Sequence, residues 1–416
     1  MTSIVLSFVG KQDPFAREDN EGSIVTLTKH LISSGQVISR VLLLYTDGTQ
    51  SNAEDTKTWL QSIYSLTEEQ VITSPVSEVF SDDPIDFKLA AREVRKAIEN
   101  IAVYISDEDM IEFNASSGTP AMKSALSILQ AAGYAPNSRV WQIRNPKEMK
   151  EGQAHVFATD VNVLKNEFDV KVIKRQINDY NYSGAIASLD GSSLVNSKIK
   201  SLLEYGRCRI AFDFDEAYEY SGAVELQHLV DDIVALRSKR HDFLCREAYF
   251  VGITKLSNCH YSDFLVFLAA FNENILLFLA SRKTGVDLRT SVYEVWQKLR
   301  QVDDGKLYTH LQNSKVPTGH SLRLEERPTR FLALAILKYY PDHNGVLALV
   351  ERLNENKYIK ERNDFVHKLE GISGIENESD LKRLMFKILK SSTSLSVDEN
   401  PFDVLNRRIS SFLEPS

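Results

Sequence analysis

The sequence predicts an α/β N-terminal domain with a parallel-sheet core, followed by an all-α domain. Up to about residue 160 of the 416-residue chain, short apolar runs alternate with helical patterns, which is typical of a parallel sheet flanked by helices. From Val161 onward strands nearly vanish and helical periodicity takes over. A chain of this length also exceeds one ordinary core, so we expect two domains or more.

Six apolar runs in the first part predict strands. The first ends at Gly10, and the second is rich in residues suited to burial on both faces before it meets the turn signal Thr46–Thr49. The fourth runs directly into a loop of small residues. The predicted strands are Ser3–Val9, Val41–Tyr45, Gln70–Thr73, Met110–Asn114, Arg139–Ile143 and Ala154–Ala158.

Helical patterns lie between these strands. The third of them is charged and amphipathic, and the fourth is rich in alanine. They are Gly22–Ser34, Ala53–Tyr64, Asp86–Ile101 and Ala121–Ala132. Strand and helix alternate through this part, so it is predicted to be a Rossmann-like domain.

The rest of the chain is predicted to be helical. Its most apolar stretch, Phe264–Ala280, is interrupted by Asn272, Glu273 and Asn274, which favours a buried helix over a membrane span. The change of pattern between residues 160 and 180 marks the predicted domain boundary. The predicted helices are Ser193–Tyr205, Glu216–Arg240, Asp263–Arg282, Thr290–Leu299, Arg330–Tyr340 and Leu347–Asn356.

The composition argues against a protein that is coated in positive charge for non-specific binding of nucleic acid. The net charge is −8, from 49 basic and 57 acidic residues, so any contact with nucleic acid must be local. The three cysteines, Cys208, Cys245 and Cys259, form no C-x-x-C pair and indicate buried or inert thiols in a reducing cytoplasm. The N-terminus lacks the basic start and long apolar run of a signal peptide, so we expect a cytoplasmic protein.

Two loops have the composition of a ligand site. Gly10–Pro14 follows the first strand, and Asn114–Pro120 joins the fourth strand to a helix. Ligands of open parallel sheets bind at such loops, where small residues let backbone N–H groups approach a phosphate. Plain helix capping explains the same residue types. The chain contains neither G-x-G-x-x-G nor a P-loop, so the ligand is neither an obvious dinucleotide nor a triphosphate held by a lysine.

A short C-terminal motif has the residue types needed to cut RNA without a metal. Arg362, Asn363 and His367 combine a phosphate-binding guanidinium with an imidazole that exchanges protons near neutral pH. A solvated helix face is the alternative reading. Positions five apart lie roughly 140° apart around an ideal helix, so one copy makes an awkward site. A symmetric dimer would complete a composite site from two copies.

These features together resemble the CRISPR-associated CARF–HEPN ribonucleases, accessory effectors of type III systems. The resemblance covers essentially the whole chain. It rests on Phe8-Val9-Gly10 with Asp13-Pro14, on the Asn114–Met122 loop and helix start, and on Arg362-Asn363 with His367. The order of the helices from Asp263 to Asn356 is also similar to that of a HEPN domain.

The resemblance implies a CARF-like ligand-binding domain at 1–165, a helical connecting region at 166–255 and a HEPN ribonuclease domain at 256–416. A cyclic oligoadenylate, the tetra-adenylate rather than the hexa-adenylate, would activate a homodimer. Thr46 and Asp47 are additional candidate contacts, and the loop has Ser116-Ser117 where many relatives have two glycines. The implied ligand-binding residues are Gly10, Gln12, Asp13, Ser116, Ser117, Gly118 and Thr119.

The implied reaction is endonucleolytic cleavage of single-stranded RNA by its own 2′-hydroxyl. His367 would transfer protons, Arg362 would stabilise charge on the phosphate, and Asn363 would orient the phosphate or the histidine. No metal or other cofactor, no membrane and no stable DNA binding are expected. Lys11 with the hydroxyls of Ser116, Ser117 and Thr119 also makes cleavage of the ligand conceivable.

Two other functions remain open. A non-catalytic CARF-type ligand-sensing regulator would need a helix-turn-helix with a basic face, and the sequence shows no convincing one. A doubly wound nucleotide-binding enzyme with a helical cap would want the glycine fingerprint that is missing here.

Overall fold

The computed structural model describes residues 2–16, 21–104, 106, 109–135, 137–317, 319–342, 345–360 and 372–414. The chain divides into two compact units, Met1–Phe168 (the α/β unit) and Asp169–Ser416 (the helical unit). This division falls close to the boundary predicted at residue 165. The further boundary at residue 255 stays a prediction, and one hydrophobic core runs from Ile173 to Leu413.

The described part of the α/β unit contains a six-stranded sheet in the order β3-β2-β1-β4-β5-β6. Strands β1 to β5 are parallel, which confirms the predicted fold class. The strands are β1 Thr2–Phe8, β2 Val37–Tyr45, β3 Val71–Pro75, β4 Met110–Asn114, β5 Ser138–Ile143 and β6 Val156–Thr159.

Strand β6 lies at the edge of this parallel core and runs antiparallel to β5. A parallel return needs a crossover of a dozen or more residues, usually a helix. The connection from Ile143 to Val156 contains only a short 3-10 turn at Pro146–Glu148. The chain therefore turns back beside β5.

Helices cover both faces of this sheet. One face packs Leu6, Phe8 and Phe113 beneath helices that carry Val94 and Leu126, and the opposite face has a separate core around Val5 and Leu43. This burial on both sides explains the apolar character of β1 and β2. The helices are α1 Ser23–Ser33, α2 Gln50–Tyr64, α3 Glu78–Asp82, α4 Phe87–Ile101 and α5 Pro120–Ala131.

The helical unit contains an isolated antiparallel bridge between Lys315 and Ser321, and otherwise its described regular elements are helices. They are α6 Asn162–Asn178 (which begins in the α/β unit), α7 Tyr182–Asp190, α8 Ser197–Ile210, α9 Phe214–Glu219, α10 Gln227–Arg237, α11 His241–Ser257, α12 Tyr261–Thr284, α13 Val292–Leu299, α14 Lys306–Asn313, α15 Arg330–Tyr339, α16 Val346–Asn354, α17 Lys357–Lys360, α18 Glu378–Ser392 and α19 Pro401–Leu413.

The single helix predicted over Glu216–Arg240 is wrong. The structure has α9 and α10 there, separated by a 3-10 turn at Ser221–Ala223. Glu225 follows with a φ of +54°, in the left-handed region that ends a right-handed helix. Continuous periodicity in the sequence hid this break.

Helix α12 is the predicted buried helix. Phe264, Leu268 and Ile275 are fully buried in the core of the helical unit. Asn272 is also buried and donates its Nδ2 to Asn354 Oδ1 at 3.2 Å. By length and composition alone α12 is apolar enough to cross a membrane, and half of its most apolar window is buried inside the protein.

Buried charges join three helices of the same unit. Arg209 on α8 is 1% exposed and donates Nε and Nη2 to the two carboxylate oxygens of Glu247 on α11, at 2.7 and 2.8 Å. Its Nη2 also lies 3.3 Å from Asp232 on α10, which pairs with Arg246 at 2.5 Å. We call these four residues the arginine network.

Candidate ligand-binding cleft and nuclease motif

A cleft of about 450 Å³ opens at the carboxyl ends of β1 and β4. These strands are neighbours in space although two strands separate them in sequence, so the strand order reverses between them. Ser7 pairs with Asn114 at this end of the sheet, which starts both following loops side by side. Asn114 Nδ2 donates to Ser7 Oγ and to Ser23 Oγ, both at 3.1 Å. The predicted location of a ligand site in an open sheet is therefore the location of the cleft.

All seven predicted ligand-binding residues line this cleft. The structure thus brings together two loops that lie more than a hundred residues apart in sequence. The lining residues are Val9, Gly10, Lys11, Gln12, Asp13, Ser23, Thr46, Thr49, Pro84, Ser116, Ser117, Gly118, Thr119, Met122 and Lys123.

The loop after β1 is organised by Asp13. The Asp13 side chain accepts hydrogen bonds from Gly10 N at 3.0 Å, from Ile24 N at 3.3 Å and from the Ser117 hydroxyl. Asp13 is 2% exposed, and burial raises the pKa of its carboxyl, partly offset by these hydrogen bonds and by the charge of Lys123. Gln12, by contrast, is exposed at the cleft.

The hydroxyl groups of the loop after β4 are already used within the protein. Ser116 Oγ accepts from Ile143 N at 2.7 Å, and the Ser117 hydroxyl donates to Asp13. Thr119 Oγ1 donates to the Pro84 carbonyl at 2.7 Å and accepts from Met122 N at 3.3 Å. The capping alternative is therefore correct for Thr119, which is the N-cap of α5.

Gly118 has a backbone conformation that residues with a Cβ rarely adopt. Its φ is +87°, in the left-handed region. A Cβ at this position would lie 2.6 Å from Met122 Sδ and 3.2 Å from the Phe8 Cβ. Backbone conformation and packing both require glycine at the point where the loop enters α5.

The cleft has the charge and backbone geometry of an anion site. The N-terminus of α5, capped by Thr119 and opened by Pro120, faces the same region as two lysines, Lys11 and Lys123. A helix N-terminus carries partial positive charge and favours anions such as phosphate. Two ammonium groups and a helix end thus accompany one buried carboxylate.

Sequence reasoning missed several residues of the cleft. Thr46 was among the candidates, but Thr49, whose Oγ1 accepts from Thr46 N at 3.1 Å, was not. Ser23, Pro84 and Lys123 were missed as well. Asp47, the other candidate from β2, is exposed and does not line the cleft. Thr49 could have been predicted, because it follows β2, which is a neighbour of β1. The carboxyl ends of neighbouring parallel strands lie at the same edge of the sheet.

The predicted nuclease residues Arg362, Asn363 and His367 lie outside the described residues. Contacts of Glu376 join the described chain on either side of them. Glu376 N donates to Tyr358 Oη at 2.7 Å, and Lys357 Nζ lies 2.7 Å from Glu376 Oε2. In the described ranges, no group of three or more His, Cys, Asp and Glu side chains is arranged to hold a metal ion.

The likeness of this chain to known proteins lies in its three-dimensional fold. No family model and no curated protein matches the sequence. Among solved structures, this chain is similar to Enterococcus italicus Csm6 bound to cyclic hexa-2′-fluoro-hexa-dAMP. The TM-score is 0.68, with 16% sequence identity over 99% of this chain and 100% of that chain. The α/β sheet and the helices that follow it therefore share the Csm6 fold over essentially the whole length.

Proposed function

We propose that this chain is a CARF–HEPN effector, an endoribonuclease that a cyclic oligoadenylate activates in type III CRISPR antiviral defence. The observation that carries the proposal is the likeness in fold, over the whole length, to a Csm6 bound to a cyclic oligoadenylate analogue. The cleft adds independent support, because the seven residues chosen from the sequence meet in it.

The α/β unit would bind the activator. A cyclic oligoadenylate presents a ring of phosphates, and the cleft offers Lys11, Lys123 and the N-terminus of α5 to such anions. Because the hydroxyls of Ser116, Ser117 and Thr119 already have protein partners, backbone groups of this loop and Gln12 are the more available contacts.

The helical unit would cut single-stranded RNA. In the proposed reaction the substrate's 2′-hydroxyl attacks the adjacent phosphate, the O5′ leaves, and a 2′,3′-cyclic phosphate remains. His367 transfers protons, Arg362 stabilises charge on the phosphate, and Asn363 orients one of these groups. The nucleophile belongs to the RNA, so the proposed reaction needs no metal, and a homodimer supplies two copies of the motif.

Calorimetry with cyclic tri-, tetra- and hexa-adenylate tests the ligand assignment. We expect saturable binding of one ring size, with the tetra-adenylate predicted from the sequence. Linear tetra-adenylate is the matched control for charge and base content. Tight dinucleotide binding without any response to the rings would contradict the assignment.

RNA cleavage by His367→Ala tests the nuclease assignment. With activator present, we expect this variant to lose cleavage by about a hundredfold or more, because general acid–base catalysis contributes about that much. It should still bind the activator like the wild type. Undiminished cleavage would refute the role of His367, and binding without cleavage by the wild type would indicate a ligand-sensing regulator.

A further inference from the structure

Asp13 lies in the wall of the cleft, at the meeting point of three segments. Its carboxylate accepts from Gly10 N in its own loop, from Ser117 Oγ in the loop after β4, and from Ile24 N at the start of α1. Its own carbonyl accepts from Asn52 Nδ2 of α2 at 2.7 Å. One residue therefore connects both cleft loops with the two helices on that side of the sheet.

We propose that Asp13 is a positioning residue that holds the two cleft loops at a fixed separation, so that the site is formed before its ligand arrives. This inference rests on the proposed function. It assigns Asp13 an action through Gly10 and Ser117 rather than a direct ligand contact, because the side chain is 2% exposed. A preformed site avoids the cost of ordering loops on binding.

The surrounding residues fit a carboxylate at this point. An ionised carboxylate only accepts hydrogen bonds, and three donors converge on it here. The amide of asparagine would direct its own N–H group at one of these donors. The charge of Lys123 favours the ionised form of Asp13 and offsets part of the rise in pKa that burial causes.

Two glycines make room for this arrangement. A Cβ on Gly22 would lie 2.6 Å from Asp13 Oδ1. A Cβ on Gly10 would lie 3.0 Å from Ser117 Oγ and 3.2 Å from Gly118 N. The two cleft loops therefore approach each other so closely, at the place where Asp13 joins them, that a Cβ on Gly10 or Gly22 would crowd the contact.

A double-mutant cycle on the full chain tests the inference, with Asp13→Asn, Ser117→Ala and the double variant. The readout is calorimetric affinity for whichever cyclic oligoadenylate binds the wild type. We expect Asp13→Asn to weaken binding by about tenfold or more and Ser117→Ala by severalfold. The double variant should bind no more weakly than Asp13→Asn, because both changes break the same bond.

Val71→Ala is the control for lost stability. Val71 is fully buried at the amino end of β3, opposite the edge that carries the cleft, so this variant should be destabilised yet bind like the wild type. If Asp13→Asn fails to fold, Ser117→Ala with the carboxylate intact still reports on the bond, and wild-type affinity there overturns the inference.

The outcomes separate the inference from the function beneath it. Wild-type affinity in Asp13→Asn, or fold-changes that multiply in the double variant, would overturn only the positioning role. Failure of the wild type to bind any cyclic oligoadenylate would overturn the proposed function and this inference together.

Discussion

Asp13 and Glu247 are both buried carboxylates, but the two units use them differently. Asp13 accepts hydrogen bonds from neutral donors in the two cleft loops and at the start of α1. Glu247 forms a bidentate ion pair with Arg209 inside the helical core. Asp13 connects loops around an opening in the α/β unit, whereas Glu247 belongs to a network that braces three helices of the helical unit against one another.

The pKa shifts follow from these partners. Burial raises the pKa of Asp13, and its hydrogen bonds and the charge of Lys123 offset only part of this effect. Burial alone would lower the pKa of the Arg209 guanidinium, but Glu247, Tyr205 and Asp232 hold it well above its usual value. Glu247 is thus paired directly with a cation, Arg209, at 2.7 Å.

Breaking the arginine network should have the largest effect. Glu247→Ala would leave Arg209 buried with its main partner gone, which we expect to cost about 3–5 kcal/mol in the free energy of unfolding. Chemical denaturation measures it. The control is Asp190→Ala, since Asp190 pairs with Lys200 at 2.8 Å while both side chains are nearly half exposed, and this change should cost about 1 kcal/mol or less. Equal losses in the two variants would contradict the bracing role.

Gly118→Ala should come next, with Gly35→Ala as its matched control. Both glycines have a φ above +80°, but a Cβ at Gly35 meets no atom within 4 Å. Left-handed strain alone should cost about 1–2 kcal/mol at Gly35. Crowding against Met122 and Phe8 should add about 1 kcal/mol or more at Gly118, together with weaker ligand binding. Denaturation and calorimetry measure the two effects, and identical behaviour would refute the tight packing of the cleft loop.

The raised pKa of Asp13 gives a pH dependence with a defined sign. Protonation of Asp13 is easier in the folded state, so its contribution to stability is fully present below the unfolded pKa and is lost as pH rises through the folded pKa, which lies above 3.8. We expect wild-type stability relative to Asp13→Asn to fall over that range, by about 1.4 kcal/mol for each tenfold difference in the proton affinity of Asp13 between the folded and unfolded states. Urea denaturation between about pH 3.5 and 7 measures this. A difference that rises with pH would show that the environment favours the ionised form.

The smallest expected effect concerns Lys123. Lys123→Gln should weaken cyclic oligoadenylate binding by severalfold, about 1 kcal/mol, and reduce its dependence on salt because a phosphate contact is lost. Lys96→Gln is the control, since Lys96 is exposed and lines a different groove between β3 and α4. Calorimetry at two salt concentrations measures the change. Equal changes in affinity and in salt dependence for Lys123→Gln and Lys96→Gln would show that Lys123 does not contact a phosphate of the ligand.

Much of the α/β unit was predictable because local sequence determines it. Apolar runs such as Val41–Leu44 are buried on both faces, and Thr119-Pro120 is a strong start signal for a helix. The antiparallel direction of β6 was harder to predict from the sequence. It depends on the path of the connection from Ile143 to Val156, which contains no α-helix. In the helical unit, α11 was missed, since a helix that is apolar on several faces gives weak periodicity.

The composition of the cleft loops was predictable, but the direction of their side chains was not. The resemblance implied Asp13, Ser117 and Thr119 as ligand contacts, whereas their polar atoms bond mainly within the protein. Lys123 was missed because it lies one turn inside a helix, where a lysine carries no local signal. Such pairings depend on loops that meet only in the folded state.

The decisive experiment is RNA cleavage by the full-length wild type, titrated with cyclic tetra- and hexa-adenylate in the presence of EDTA. We expect cleavage of single-stranded RNA that rises to saturation with one of the rings, persists in EDTA and leaves 2′,3′-cyclic phosphate ends. Cleavage at the same rate without any ring, or none with either ring although one binds, would contradict it.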